Sequence, residues 1–135
     1  QGLVGEVTKR FEAKGFRLLA VRMVQPTIDV VSMHCSDIMN ESVRNRVIQY
    51  MMSGPIIAMV LEAPDAIRAG RLMINPTKIL QPDDKLKKQP PAAGSIRGTY
   101  SRSALLNVIH GSDSREAAAR EIALYGSFCC RNISE

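Results

Sequence analysis

Two short segments rich in strand-forming residues constrain the fold more than any other feature of this sequence. They run from Phe16 to Met23 and from Ile56 to Glu62. The longest apolar run, Ile56 to Leu61, is far too short to cross a bilayer as a helix. Because amphipathic segments with helical spacing alternate with them, the sequence predicts an α/β sandwich whose helices cover one face of a sheet.

The helices are predicted from apolar spacing and from residues typical of helix ends. Leu3, Val7 and Phe11 recur at helical spacing, and Gly15 is a natural stop. A third, short strand is predicted from Leu106 to His110. Three further helices are predicted: from Pro26-Thr27 to about His34, from a cap at Asn40 to Ser53, and from Pro64 to about Met73. A last helix is predicted after a capping box formed by Asp113 and Glu116, with one face made of Ala118, Ile122 and Tyr125.

The length of the chain suits one compact domain over residues 1–135. Within it, the segment from Asn75 to Gly94 is polar and contains four prolines. A loop this long inside a domain is usually functional or mobile. The first predicted helix has no strand before it, which would leave a sheet edge exposed. We therefore expect a further strand upstream of Gln1, or a partner chain that covers the sheet.

The net charge indicates which partners are possible, and the cysteines indicate the redox environment. The net charge of +5 would attract nucleotide phosphates or nucleic acid, but an ordinary protein with a Lys-rich loop has the same charge. With aromatic residues at 4%, a base-stacking surface is poorly supported, so nucleic acid is not the expected partner. Cys35, Cys129 and Cys130 form neither a CxxC pair nor a zinc-site spacing. An odd number of thiols predicts a reducing, cytoplasmic location.

The segment around His110 has features of a phosphoryl-transfer site. A neutral imidazole is a good nucleophile, and Gly111 lets the backbone turn and leave the ring accessible. Ser112 and Asp113 offer oxygens, and the helix start that follows attracts anions. Taken alone, this pattern also fits a structural histidine before a helix cap, so both interpretations stay open.

The segment from Asn107 to Ser114, NVIHGSDS, closely resembles the phosphohistidine motif of nucleoside diphosphate kinases. The resemblance covers most of the chain and implies the ferredoxin-like antiparallel sheet of that family, with its first strand upstream of the residues shown. Further matching segments follow in the family's order: Gly2 to Phe16, Tyr50 to Val60, Gly70-Arg71 and Ser95 to Gly98.

The resemblance implies catalytic roles for three residues. His110 matches the histidine that takes the terminal phosphate and passes it to a second nucleotide. Glu121 matches the carboxylate that orients this ring, and Ser112 matches the serine beside it. The reaction implied is a ping-pong transfer from ATP to a second nucleoside diphosphate, with Mg²⁺ held mainly through the nucleotide phosphates.

The resemblance also implies nucleotide-binding residues. Arg71 and Arg97 match the phosphate-binding arginines, and Thr77 matches a phosphate-contacting threonine. Asn107 matches the residue that contacts the ribose hydroxyl. Val43 stands where the family has a phenylalanine that stacks on the base.

Departures from the family pattern support an alternative function. Cys35 stands where the family has a tyrosine near the active histidine, and the loop between Thr77 and Arg97 is longer than usual. The family's phosphate-contacting lysine would lie upstream of Gln1. The alternative is a catalytically weak member that acts as a nucleotide-sensing or protein-interaction module. In either case the resemblance implies a homo-oligomer, and the short apolar runs predict no membrane partner.

Overall fold

The computed structural model describes residues 2–75, 90–102 and 107–125. These ranges contain eight regular elements, and the strand predicted from Ile56 to Glu62 has the bounds expected from the sequence. Predicted and observed ends of the first four helices differ by only a few residues. The elements are α1 (Val4–Ala13), β1 (Arg17–Val24), α2 (Ile28–His34), α3 (Glu41–Met51), β2 (Ile56–Glu62), α4 (Ala66–Ile74), α5 (Ile96–Tyr100) and α6 (Arg115–Leu124).

The chain divides into two compact units. The first unit consists of Gln1–Arg17 and Glu62–Arg115, and it contains α1, α4 and α5. The second unit consists of Leu18–Leu61 and Glu116–Glu135, and it contains α2, α3, nearly all of both strands, and α6 from its second residue onward.

The core of the first unit begins at the end of α1. Gly15 has φ of 86°, and the N–H groups of Phe16 and Gly15 donate to the carbonyls of Phe11 and Glu12. This is the hydrogen-bond pattern of a Schellman motif, in which glycine avoids the strain of a left-handed residue. The buried rings of Phe11 and Phe16 then pack edge to face, with centroids 5.1 Å apart. Gly70 of α4 lies against both rings.

A short helix, α5, was not predicted from the sequence. Five residues are too few for an apolar period to be recognised, but Ser95 caps the helix and is buried. Its Oγ accepts from the Gly98 N–H at 3.0 Å and donates to the Ala92 carbonyl at 2.6 Å. A Cβ on Gly98 would overlap that same carbonyl oxygen, so the turn requires glycine.

The second unit contains a two-stranded sheet formed by β1 and β2. The strands are antiparallel, because Arg17 at the start of β1 forms an ion pair with Glu62 at the end of β2. Helices α2 and α3 pack on each other, and Val31 and Cys35 are fully buried. The side chains of Thr27 and Asn40 cap these two helices, as expected for residues with short polar side chains.

Two predictions in the last third of the chain are wrong in detail. Residues 107–110 form no strand, because the backbone turns at Val108, which has φ of 32°; Leu106 lies outside the described residues. Of the face predicted for the last helix, Tyr125 is buried as expected, but Ile122 is 43% exposed, and the buried residue within α6 is Ala117. The helix begins at Arg115, so Ser114 rather than Asp113 directly precedes it. None of the helices described in these ranges is both long and apolar enough to cross a membrane.

Candidate active site

The backbone before His110 is held in an unusual turn. The N–H of Ile109 donates to the carbonyl of Asn107, which closes a three-residue turn around Val108. Positive φ is rare for a β-branched residue, costs about 1–3 kcal/mol and persists only where the surrounding structure imposes it. Such strain is commonly found at functional sites. Beyond the turn, His110 is exposed on the first unit.

Two arginines hold the backbone on either side of His110. Arg71, on α4, donates from Nη1 to the carbonyl of Gly111 at 2.9 Å. Arg97, on α5, donates from Nε and Nη2 to the carbonyl of Ile109 at 3.0 and 2.7 Å. The two helices therefore place two guanidinium groups within hydrogen-bonding distance of the residues that flank His110.

The same two arginines border a shallow cleft in the first unit. Ile74, Asn75 and Gly111 complete its lining. Burial lowers the pKa of Arg97, and the nearby charge of Arg71 lowers it further. An anion in the cleft would offset both effects, because arginine donors suit the oxygens of phosphate. Asn75 was not predicted as a site residue; its only signal in the sequence is a polar side chain directly after the apolar end of α4.

Glu121 lies on α6 in the second unit, beside a histidine that was not predicted as a site residue. Its Oε1 is 4.0 Å from Nδ1 of His34, and these side chains are 15% and 10% exposed. The ring of His34 packs edge to face on Tyr125, with centroids 5.6 Å apart. Val43, on α3 of the same unit, is half-buried. A partly buried carboxylate beside an imidazole is suited to holding that ring in one orientation.

The structure brings five of the sequence-predicted site residues into the first unit. Of these, Arg71 and Arg97 make the direct contacts with the His110 segment that are described above. The carbonyl of Asn107 closes the turn, and Ser112, two residues after His110, is half-buried. Thr77 lies outside the described residues. The first-unit residues are Arg71, Arg97, Asn107, His110 and Ser112.

Comparison with known proteins identifies the family. The family model described as nucleoside diphosphate kinase matches residues 1–127. The chain belongs to the nucleoside diphosphate kinase family. A nucleoside diphosphate kinase of Thermoanaerobacter sp. (strain X514) is 42% identical over 125 residues, which are 93% of this chain and 86% of that protein. Human nucleoside diphosphate kinase 3 is 42% identical over 123 residues, covering 91% of this chain and 68% of that protein.

Solved structures of nucleoside diphosphate kinases share the fold. The enzyme of Aquifex aeolicus superposes with a TM-score of 0.79 at 31% identity, covering 94% of this chain and 86% of that one. A nucleoside diphosphate kinase family protein from Babesia bovis gives 0.77 at 36% identity, covering 93% and 79%. The family and the ferredoxin-like α/β fold predicted from the sequence are both confirmed.

Proposed function

We propose that this nucleoside diphosphate kinase family member transfers the terminal phosphate of ATP to a second nucleoside diphosphate through phosphorylated His110. Phosphate transfer between nucleotides is the activity of its family. The observation that carries the proposal is the pair of guanidinium groups on the carbonyls flanking His110, whose imidazole is exposed. Guanidinium donors suit phosphate oxygens, which supports a phosphate-binding role for both arginines. Family membership does not favour the alternative of a nucleotide-sensing or interaction module.

The proposed transfer has two half-reactions. The neutral imidazole of His110 attacks the terminal phosphorus, the N–P bond forms, and the bond to the bridging oxygen of the leaving ADP breaks. A terminal oxygen of the second diphosphate then attacks the same phosphorus and frees the ring. Arg71 and Arg97 stabilise the charge on the transferred group, which is the main catalytic requirement in phosphoryl transfer. Glu121 and Ser112 are proposed to orient the ring.

The remaining contacts with the nucleotide are proposed for three residues. Thr77 binds a phosphate oxygen, and Asn107 binds the ribose hydroxyl. Val43 contacts the base, but an aliphatic side chain cannot stack as an aromatic ring does. We therefore expect weaker binding of the base than a phenylalanine at this position would give.

Mg²⁺ is the proposed metal, and the cleft suits it only indirectly. The described residues that line the cleft supply two guanidinium groups and no carboxylate. This donor set suits phosphate oxygens, so the ion would be held by the nucleotide phosphates while Arg71 and Arg97 hold those phosphates. When bound, Mg²⁺ neutralises charge on the transferred phosphate.

Assembly and location are further parts of the proposal. A row of exposed apolar side chains on β1, namely Leu19, Val21 and Met23, supports a homo-oligomer. The buried free thiol of Cys35 supports a reducing, cytoplasmic location. We also propose that residues 1–135 act as a single kinase domain.

An arginine pair on α4 tests the phosphate-binding part of the proposal. Arg71 contacts the His110 segment, whereas Arg68 is exposed on the same helix. We expect Arg71→Ala to lower kcat for phosphate transfer from ATP to GDP about 100-fold or more, because one preorganised donor is lost. Arg68→Ala should leave the rate within about twofold. Equal losses in both variants would contradict a specific role for Arg71.

A further inference from the structure

We propose that Glu6, Arg10 and Tyr100 form a clamp between α1 and α5 that positions Arg97 for phosphate. The inference rests on the proposed function, because it assigns a positioning role within the same site. It concerns three residues that touch neither His110 nor the cleft in the described structure.

The clamp is built from mutually supporting contacts. Nη2 of Arg10 donates to the hydroxyl of Tyr100 at 3.1 Å, and that hydroxyl donates to Oε1 of Glu6 at 3.2 Å. Nε of Arg10 also donates to Oε1 of Glu6 at 3.1 Å. The Arg10 guanidinium lies 5.0 Å from the centre of the Tyr100 ring, and its Nη1 donates to the carbonyl of Gly94 at 3.3 Å. One arginine thus contacts Gly94, just before α5, and Tyr100, the last residue of α5.

The position of Arg97 depends on both ends of α5. A five-residue helix has too few internal hydrogen bonds to be stable by itself. Its start is fixed by the contacts of Ser95 with Gly98 and Ala92. Its end is fixed by the hydroxyl of Tyr100. Because Arg97 lies between these ends, movement of the helix would carry its guanidinium away from the Ile109 carbonyl.

The clamp residues are partly exposed, so a positioning role can be distinguished from a contribution to stability. The side chains of Arg10 and Glu6 are 30% and 41% exposed. Ion pairs this exposed contribute little to the free energy of unfolding. The hydrogen bonds lower the pKa of Glu6, so its carboxylate is charged and able to accept from both partners at neutral pH. Loss of the Tyr100 hydroxyl should therefore change the position of Arg97 while changing the free energy of unfolding only slightly.

The test uses Tyr100→Phe, which removes the hydroxyl and keeps the ring. Tyr50→Phe is the matched control, because it makes the same change at a partly exposed site on α3. For Tyr100→Phe we expect about a three- to tenfold weaker Kd for ADP, measured by calorimetry, and a similar loss in kcat/KM for phosphate transfer. The thermal midpoint should change no more than in Tyr50→Phe, whose ADP affinity and activity should match the parent protein.

A double-mutant cycle decides whether Tyr100 acts through Arg97. In an Arg97→Lys background, we expect Tyr100→Phe to have less than about a twofold effect on ADP affinity, because the group it positions is gone. If Tyr100→Phe weakens ADP binding by the same factor in both backgrounds, or by none in the parent, the clamp is overturned. Absence of phosphate transfer by the parent protein would contradict the proposed function, while the binding cycle would still decide the positioning role.

Discussion

At the scale of single residues, Val108 links local conformation to the candidate site, because it lies two residues before His110. Its φ of 32° is unfavourable for a β-branched side chain, and the turn that it forms directs the chain toward His110. Glycine adopts positive φ without this cost. The side chain of Val108 is only half-buried, so little packing opposes its replacement.

Replacement of Val108 by glycine should reveal the stored strain. We expect Val108→Gly to destabilise the protein by at least about 1 kcal/mol less than Val60→Gly, a half-buried valine in β2 without positive φ. Denaturant unfolding of both variants measures the difference. A larger loss in Val108→Gly would mean that the turn is not strained.

The same residue shows what the sequence could and could not predict about the site. His110, Arg71 and Arg97 could be predicted as site residues from the sequence, because each lies in a segment that resembles a family motif. The turn at Val108 could not be predicted, because valine and isoleucine are typical of strands and the segment therefore predicts a strand. The contacts of Arg71 and Arg97 with the Gly111 and Ile109 carbonyls join segments 40 and 12 residues apart. No local pattern encodes such contacts.

Tyr125 gives a pH-dependent prediction. Burial, with smaller contributions from Cys35 and Glu121, raises the pKa of its phenol to about 12. The unfolded phenol ionises near pH 10, so the stability that this residue contributes is complete below about pH 10 and is lost between about pH 10 and 12. Between about pH 10 and 12, the free energy of unfolding should fall less in Tyr125→Phe than in the parent protein. Denaturant unfolding of both proteins at several pH values from about 8 to about 11.5 measures this difference.

The behaviour of Tyr125→Phe at neutral pH provides the control. The buried hydroxyl has no hydrogen-bond partner within the part of the chain that the structure describes. Its removal at pH 7 should therefore cost less than about 1 kcal/mol. An alkaline loss as steep in Tyr125→Phe as in the parent would show that another group is responsible.

At the scale of elements, local signals fixed most of the helices and strands. The Schellman motif at Gly15 and the caps at Thr27 and Asn40 act through neighbouring residues, and each was visible in the sequence. The strand predicted near His110 is one exception, and helix α5 is another. Its conformation depends on the close approach of Ala92 to Gly98, which a periodicity search cannot detect.

Two glycine replacements test the packing of α5. We expect Gly98→Ala to destabilise the protein by about 1–3 kcal/mol, because the added methyl group meets a backbone carbonyl that cannot rotate away. Gly5→Ala is the matched change in α1, where nothing lies within 4 Å of the added group. It should be neutral or stabilise by up to about 1 kcal/mol. Thermal and denaturant unfolding measure the change in stability of each variant. Equal changes in the two variants would mean that Ala92 does not approach Gly98 closely.

At the scale of the whole molecule, the order of motifs carried the family prediction, and charge contributed little. The net charge of +5 fits a nucleotide enzyme, a nucleic-acid-binding protein or a protein with a basic loop equally well. By contrast, several motifs in one order along the chain restrict both fold and chemistry. In the structure, two of these motifs supply Arg71 and Arg97, and both side chains contact the backbone beside His110.

The most direct test of the account is whether His110 carries phosphate. The intact mass of the protein should be measured after brief incubation with Mg²⁺ and ATP, alongside His110→Ala. We predict one added phosphoryl group that is labile to acid, is absent from His110→Ala and is removed by GDP with formation of GTP. A parent protein that gains no phosphate, or a His110→Ala variant that gains the same acid-labile group, would contradict the account.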